Sequence, residues 1–353
     1  MPEHPTVQVQ VQSVGGEVLE LDVKARSLVR GLKQKIEQRW RVPFESQKLV
    51  CETTILKDSD SIASHLQGAS PVLCVTLVKA LDTLYSIVGD GKERPEKRIL
   101  NMRKLADLVP KGDEDAIHAF FLCLADPTSE VRRASVEMLL QVGGRNNERV
   151  ISELCDCSEG TSVDTKLAAI TGLRQVAERG NDRVVTTLIK LSRDEKPTVR
   201  RTALYALPQA GNLDDDRIIA AVIEEMKKVD AAVPYSAEQV LPQAVNRGNQ
   251  FVISEMIELL RNMEQVHYLV RTRAVHVICK VALPDDMRAV DAILEAGVDP
   301  DERIRLAVIE DLPGLVRKGD QRAIALLKEI ASQNKVGVLE RAAGKSLSLL
   351  QSV

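Results

Sequence analysis

The strongest constraint on the fold is a 34-residue self-similarity that begins near residue 81. One apolar position recurs at intervals of 34, 34, 34, 34, 37 and 34 residues, and its members are Leu105, Leu139, Leu173, Leu207, Leu241, Ile278 and Leu312. Each lies among apolar residues at helical spacing, which indicates a shared core position. A period of this length is typical of stacked repeats rather than of one globular core. We therefore predict about seven repeats, closed by a terminal capping helix.

A second recurring position predicts where helices begin. Its members are all Asn or Asp: Asp113, Asn147, Asn181, Asp215, Asn249, Asp286 and Asp320. The first backbone N–H groups of a helix lack intrahelical partners, and these short side chains accept hydrogen bonds from them. Each repeat is therefore predicted to contain a first helix, a polar turn and a second helix that begins at this residue. Pro208, Pro242 and Pro313 follow the leucine position and should bend or end the first helix.

Composition narrows the choice among two-helix repeats. The 353 residues include four Phe, four Tyr and one Trp, so the core must be mainly aliphatic. Tetratricopeptide arrays use more aromatic residues, and the chain more closely resembles HEAT or armadillo-type repeats. The resemblance rests on an Asp six residues before an Arg, in the pairs Asp126 and Arg132, Asp194 and Arg200, and Asp299 and Arg305. It implies a ladder of such pairs between repeats, interrupted at Lys166, Pro234 and Arg271, which lack the preceding Asp.

The first eighty residues follow a different pattern. Val7, Val9 and Val11 alternate with glutamines, and extended character resumes at 18–23 after two glycines, which predicts a hairpin. From Ser27 to Trp40 the apolar residues follow helical spacing. Residues 47–51 and 72–77 predict two further strands. A helix crossing a small sheet is the expected arrangement.

This order of elements resembles a ubiquitin-like β-grasp domain over about residues 6–79. The segments 42–50 and 56–62 also resemble ubiquitin, from the helix end into the third strand and at a later turn. The last strand continues into the rest of the chain without a Gly-Gly tail, so the domain is expected to be built in rather than conjugated. The resemblance implies a receptor-binding apolar patch at Val50, Leu73 and Val75, with ubiquitin-receptor or proteasome-type partners. Ordinary core or surface roles are the alternative, because a one-residue register error exchanges the faces of a strand.

The repeats also carry a recurring arginine two residues after the Asn or Asp position. It is present as Arg149, Arg183, Arg217, Arg288 and Arg322, and Phe251 replaces it once. A cation at a helix start opposes the helix dipole, so its recurrence calls for a compensating contact. One hypothesis is that each guanidinium pairs with a carboxylate of the adjacent repeat. The other is a partner-binding basic ridge that receives an acidic peptide, with Phe251 as an apolar anchor.

Charge and targeting signals limit the classes of partner. The formal net charge of −3 does not favour nucleic-acid binding. The sequence shows no signal-peptide run and no stretch approaching a membrane span, so we expect a cytoplasmic or nuclear protein without a membrane partner. Six scattered cysteines suggest reduced thiols. Cys155 and Cys157 have no second ligand pair, so neither a metal nor another cofactor is expected.

The predicted fold class is thus an α+β, β-grasp domain at residues 1–80, followed by an all-α HEAT-type solenoid at 81–353. No catalytic residues are predicted. The sequence lacks the His-Glu pairs that hold iron in deoxyhypusine hydroxylase, a repeat enzyme, and its Gly344-Lys345-Ser346 lacks the glycine that a phosphate-binding loop requires. We expect a non-enzymatic adaptor that binds other proteins. The alternatives are an enzyme or enzyme-assisting factor, as in the HEAT-like phycobilin lyases, and a structural spacer.

Overall fold

The computed structural model describes residues 6–66, 72–229, 234–284, 286–333 and 337–351. The chain forms two compact units, Met1–Gly144 and Arg145–Val353. The described part of the first unit contains a small sheet and five α-helices, and that of the second contains twelve α-helices.

The sheet of the first unit is mixed and has five strands in the order β2-β1-β5-β3-β4. The strands are β1 (Thr6–Ser13), β2 (Val18–Lys24), β3 (Gln47–Cys51), β4 (Thr54–Ile55) and β5 (Val72–Lys79), and α1 (Val29–Trp40) follows the first hairpin. β1 and β5 are parallel, whereas the other neighbours are antiparallel. Val9 and Val11 lie in a core with Leu32 and Ile36 of α1. The predicted hairpin, crossing helix and two later strands are confirmed.

Four further helices belong to the same unit. They are α2 (Asp82–Gly89), α3 (Pro95–Leu108), α4 (Glu114–Leu122) and α5 (Ser129–Gly143). The sheet ends where the sequence placed a domain boundary, but contacts continue beyond it. The Ala80 N–H donates to the Ser46 carbonyl at 2.7 Å, and Lys104 pairs with Glu45 at 2.7 Å. These contacts join the first helices to the sheet.

The second unit consists of helices that follow one another along the chain and contact one another in two series. Its helices are α6 (Glu148–Ser158), α7 (Val163–Val176), α8 (Asp182–Leu191), α9 (Pro197–Ala210), α10 (Asp216–Lys227), α11 (Pro234–Ala244), α12 (Gln250–Arg261), α13 (Tyr268–Val281), α14 (Met287–Ala296), α15 (Glu302–Leu315), α16 (Gln321–Gln333) and α17 (Val338–Gln351). Odd-numbered helices from α7 to α17 contact one another in chain order. Among the even-numbered helices, α6, α8 and α10 are in contact, as are α12, α14 and α16.

Both predicted repeat positions are confirmed. All seven members of the leucine position are fully buried. All seven Asn or Asp side chains accept a hydrogen bond from a backbone N–H in the first turn of the helix that follows. The prolines behave differently from the expectation that they could end the first helix. Pro208, Pro242 and Pro313 lie inside α9, α11 and α15, which continue beyond them.

A backbone hydrogen bond links successive repeats. The residue before the capping Asn or Asp has a positive φ of 56 to 86°, a region that favours glycine. Its N–H donates at 2.6 to 2.9 Å to a carbonyl at the end of the next odd-numbered helix. The donors are Gly112, Asn146, Gly180, Asp214, Gly248 and Gly319. The seventh equivalent, Asp285, lies outside the described residues.

The aspartates of the inter-repeat turns are linked differently from the predicted ladder. Each carboxylate accepts from a cation 28 residues earlier, in the pairs Arg98 and Asp126, Lys166 and Asp194, and Arg271 and Asp299. The arginine six residues later donates instead to the main-chain carbonyl of the aspartate, at 2.7 to 2.9 Å. Lys166 and Arg271, expected to interrupt the ladder, are thus two of its cations.

Candidate partner-binding surfaces

The apolar patch predicted on the sheet is not formed. Leu73 and Val75 are 3% and 2% exposed and belong to the core. Val50 is half-buried and lies opposite Thr76, so the β5 residues that share its face are Thr76 and Cys74, both exposed. The prediction was wrong by one residue of register in β5, which exchanges the two faces of a strand.

Four of the five recurring arginines have carboxylate partners. Three reach back to the preceding even-numbered helix, and Arg149 pairs within its own helix. The pairs are Arg149 with Glu153 at 3.1 Å, Arg183 with Asp156 at 3.5 Å, Arg217 with Asp182 at 3.0 Å, and Arg322 with Asp291 at 2.8 Å. Their side chains stay 45 to 50% exposed. The first hypothesis, pairing with a carboxylate of the adjacent repeat, describes three of these contacts.

Arg288 is the exception. Its guanidinium donates to the amide oxygen of Gln250 on α12, and its backbone N–H donates to Asp286 at 3.1 Å. The amide nitrogen of Gln250 in turn donates to Asp286 at 3.2 Å. Among the described carboxylates none forms an ion pair with Arg288. The hydrogen-bond partner of this charged guanidinium is therefore a neutral amide on the protein surface.

Two exposed apolar side chains lie beside this hydrogen bond. Phe251 follows Gln250 and is 57% exposed, and Met287 precedes Arg288 and is 56% exposed. Nη2 of Arg322 lies 3.8 Å from the Met287 sulfur. We call Gln250, Phe251, Met287 and Arg288 the α12–α14 surface. It combines a cation without an ionic partner and two apolar groups at the beginnings of adjacent helices.

A groove of about 670 Å³ adjoins this surface between α12 and α14. Arg288 lines it, and its wall includes the pair Arg261 and Glu295 at 2.9 Å, with both side chains more than half exposed. Ile257 supplies an apolar contact, and Glu258 and Asp291 add negative charge. The groove is thus mixed in charge, and of its two arginines Arg261 forms an ion pair whereas Arg288 forms none with a described carboxylate.

Sequence reasoning selected Phe251 and Arg288 but missed Met287. The signal was present: the first residue of the second helix is Asp, Glu or Gln in the other repeats, and Met287 interrupts that column. An apolar side chain replaces a polar one at a position the fold leaves in solvent.

A separate group of titratable side chains joins α11, α13 and α15. His276 bonds to Asp311 through Nδ1, and although burial opposes the charged ring, this bond raises the pKa of His276. Burial raises the pKa of Glu238, and the charge of Asp311 raises it further. The charges of His276, Lys280 and Arg273 lower it.

Neighbouring contacts of this group are structural. Arg273 donates to the carbonyls of Met226 and Lys228 at 2.9 Å, and Cys279 is a buried thiol whose pKa burial raises. All six cysteines are free thiols. Within the described residues, no group of three His, Cys, Asp or Glu side chains could hold a metal ion. In the same part of the chain, no helix combines the length and the apolar character that crossing a bilayer requires.

Comparison with known proteins adds little to these observations. No protein-family model and no curated protein matches the sequence. Among solved structures, the chain is similar to the C-terminal ubiquitin-like domain of human 2′-5′-oligoadenylate synthetase-like protein, at 24% identity and a TM-score of 0.20. That match covers 22% of this chain and 88% of the other. The fold itself, an N-terminal mixed five-stranded sheet followed by a helical region, rests on the structure alone.

Proposed function

We propose that the chain is a non-enzymatic adaptor that binds other proteins through two modules. The N-terminal module is a β-grasp domain of the ubiquitin-like type, and the helical region is a HEAT-type solenoid whose 34-residue repeats stack on their neighbours. The confirmed leucine and capping positions support the repeat assignment. Solenoids commonly bind partners along their extended surfaces. A cytoplasmic or nuclear location is part of this proposal, and the alternative of an enzyme or enzyme-assisting factor stays a prediction.

The main observation that supports this proposal is the α12–α14 surface. Arg288 forms no ion pair with a described carboxylate, and two apolar residues that are more than half exposed, Phe251 and Met287, lie at the beginnings of α12 and α14. Exposed aromatic and methionine side chains beside an arginine are characteristic of protein interfaces. The matching partner is a peptide segment with an aliphatic or aromatic side chain near a carboxylate. The acidic-peptide hypothesis is thereby confined to Arg288 and Phe251, because the other four arginines already have carboxylate partners.

A peptide-display selection tests this proposal. The full chain is used to select from a random peptide library, and binding of the enriched peptides is measured for Phe251→Ala and Arg288→Gln. We expect peptides that pair an apolar residue with Asp or Glu, and each substitution should weaken binding at least about tenfold, as for an interface hot spot.

Arg217→Gln is the matched control, because it removes the same charge from an arginine that already pairs with Asp182. It should leave peptide binding unchanged. Enrichment of no peptide, or equal binding to Arg217→Gln and Arg288→Gln, would contradict the proposal. Urea unfolding of each variant distinguishes lost contacts from a loss of fold.

A further inference from the structure

A cleft of about 800 Å³ lies at one end of the sheet in the first unit. Its walls come from the β1–β2 turn, the end of α1 and the end of β5. Volumes of this size are typical of sites that bind small molecules or single side chains. Neither the sequence argument nor the proposed function uses this cleft, which lies in a different unit from the α12–α14 surface.

The charged groups of the cleft are unbalanced. Arg39, Arg41 and Lys79 line it with one carboxylate, Glu17, which gives three positive charges against one negative. All four residues are exposed. None of the three cations forms an ion pair with a described carboxylate. A local excess of two positive charges thus occurs in a chain whose formal net charge is −3.

Local structure accounts for only part of this cluster. Arg39 lies in the last turn of α1, where the carbonyl end of the helix favours a cation. Arg41 follows with a φ of 54°, a left-handed conformation that helices usually give to glycine at this position. Lys79 ends β5 on the same cleft. Helix stabilisation therefore explains Arg39 but not the convergence of three cations.

Apart from Ser13, the rest of the wall has no polar side chain, and it contains the chain's single tryptophan. Trp40 is half-buried against the core of the sheet, and Val42 and Leu77 form a buried floor. Val14 in the β1–β2 turn is 78% exposed. An indole beside cations suits a ligand that has a planar ring next to an anionic group.

We propose that this cleft binds a phosphomonoester whose molecule also contains an aromatic or heteroaromatic ring. Such a group carries about −1.5 to −2 charges at pH 7 and has three acceptor oxygens, which matches an excess of two positive charges. Arginine forks bind phosphate through paired hydrogen bonds, and the ring contacts Trp40. The shared chemistry occurs in a phosphotyrosine side chain and in a free nucleotide.

The single tryptophan provides a direct measurement. Fluorescence of Trp40 in the full chain is followed while phenyl phosphate, inorganic phosphate, phenylacetate or phenol is added. We expect a saturable change with phenyl phosphate, weaker binding of inorganic phosphate and of phenylacetate, and no binding of phenol. O-phosphotyrosine and adenosine monophosphate then distinguish a protein source of the ligand from a nucleotide source.

Substitutions of the cations and of the one carboxylate in the cleft provide a second test. Arg39→Gln and Lys79→Gln should each weaken phenyl phosphate binding at least about tenfold, because each removes a charge-assisted hydrogen bond. Glu17→Gln should strengthen it, since it removes the one opposing charge. Arg30→Gln is the matched control: Arg30 is exposed on the same helix, about 13 Å from Arg39 at 1.5 Å per residue.

Several results would overturn the proposal. Absence of a saturable fluorescence change together with absence of binding heat in calorimetry would exclude the site. Equal affinity for phenylacetate and phenyl phosphate would exclude the phosphate assignment. Equal weakening by Arg30→Gln and Arg39→Gln would show a general charge effect, and the two separate variants guard against failure of one to fold. The proposed function of the α12–α14 surface is independent of all these outcomes.

Discussion

Removing one partner of the buried pair of Arg271 and Asp299 is expected to be among the most destabilising single changes in the helical unit. Both side chains are about 5% exposed, at 6% and 4%. Arg271 also donates to the Leu260 carbonyl at 3.1 Å, and the second oxygen of Asp299 accepts from the Asp301 N–H at 2.8 Å. Asp299→Asn keeps an oxygen for Asp301 but removes the charge opposite Arg271. The buried guanidinium then loses its ion-pair partner and keeps only the more distant charge of Asp301.

Breaking a buried ion pair in this way costs about 3–5 kcal/mol. We expect the lower end, about 3 kcal/mol, because the asparagine oxygen can still accept a hydrogen bond. The measurement is urea unfolding of the full chain followed by far-ultraviolet circular dichroism. Glu295→Gln is the matched control, since the pair of Glu295 and Arg261 is more than half exposed and its loss should cost at most about 0.5 kcal/mol.

A double-mutant cycle completes this test. Arg271→Gln combined with Asp299→Asn should be less destabilising than the sum of the two single substitutions, with a coupling energy of at least about 1 kcal/mol. If Asp299→Asn costs less than about 1 kcal/mol, or no more than Glu295→Gln, the charge of Asp299 does not stabilise the buried guanidinium of Arg271.

Three further predictions concern the turns and the titratable group. Gly180→Ala and Gly319→Ala should each cost about 1 kcal/mol in urea unfolding because both glycines have φ above 80°. The raised pKa of His276 predicts that its protonated ring stabilises the folded chain. This stabilisation is complete below the unfolded pKa of about 6.5 and is lost as pH rises through the folded pKa. His276→Gln should abolish this pH dependence of the melting temperature. Burial raises the pKa of Glu238, so Glu238→Gln should raise the melting temperature at pH 7 and lose that advantage as pH falls through the folded pKa.

Features set by neighbouring residues could be predicted from the sequence. Asn147 and Asp286 cap their helices because the cap needs only a short acceptor and the N–H groups two or three residues later. The fully buried leucine position follows from helical spacing in the same way. The capping and leucine positions could both be predicted with more certainty because each pattern recurs seven times, which local composition alone does not explain.

Features set by pairing across elements could not be predicted in this way. The face of Leu73 and Val75 depends on the register of β5 between β1 and β3, and nothing in the strand itself fixes that register. The partner of Asp299 is 28 residues away, so a motif of six residues suggested Arg305 instead. The cleft beside Trp40 combines a turn, a helix end and a strand end, which no single sequence window contains.

Residues that depart from the repeat pattern are informative, because the pattern itself has a structural reason. Arg217 and Arg322 recur at a helix start, where the dipole disfavours them, because each reaches a carboxylate on the preceding even-numbered helix. An arginine would be expected at position 251 for the same reason, but the chain has the exposed aromatic side chain of Phe251 there. At the next repeat Arg288 reaches a neutral glutamine, and Met287 replaces the usual polar residue. Three departures from the repeat pattern therefore lie on two adjacent helices, as the proposed binding of a partner at the α12–α14 surface would require.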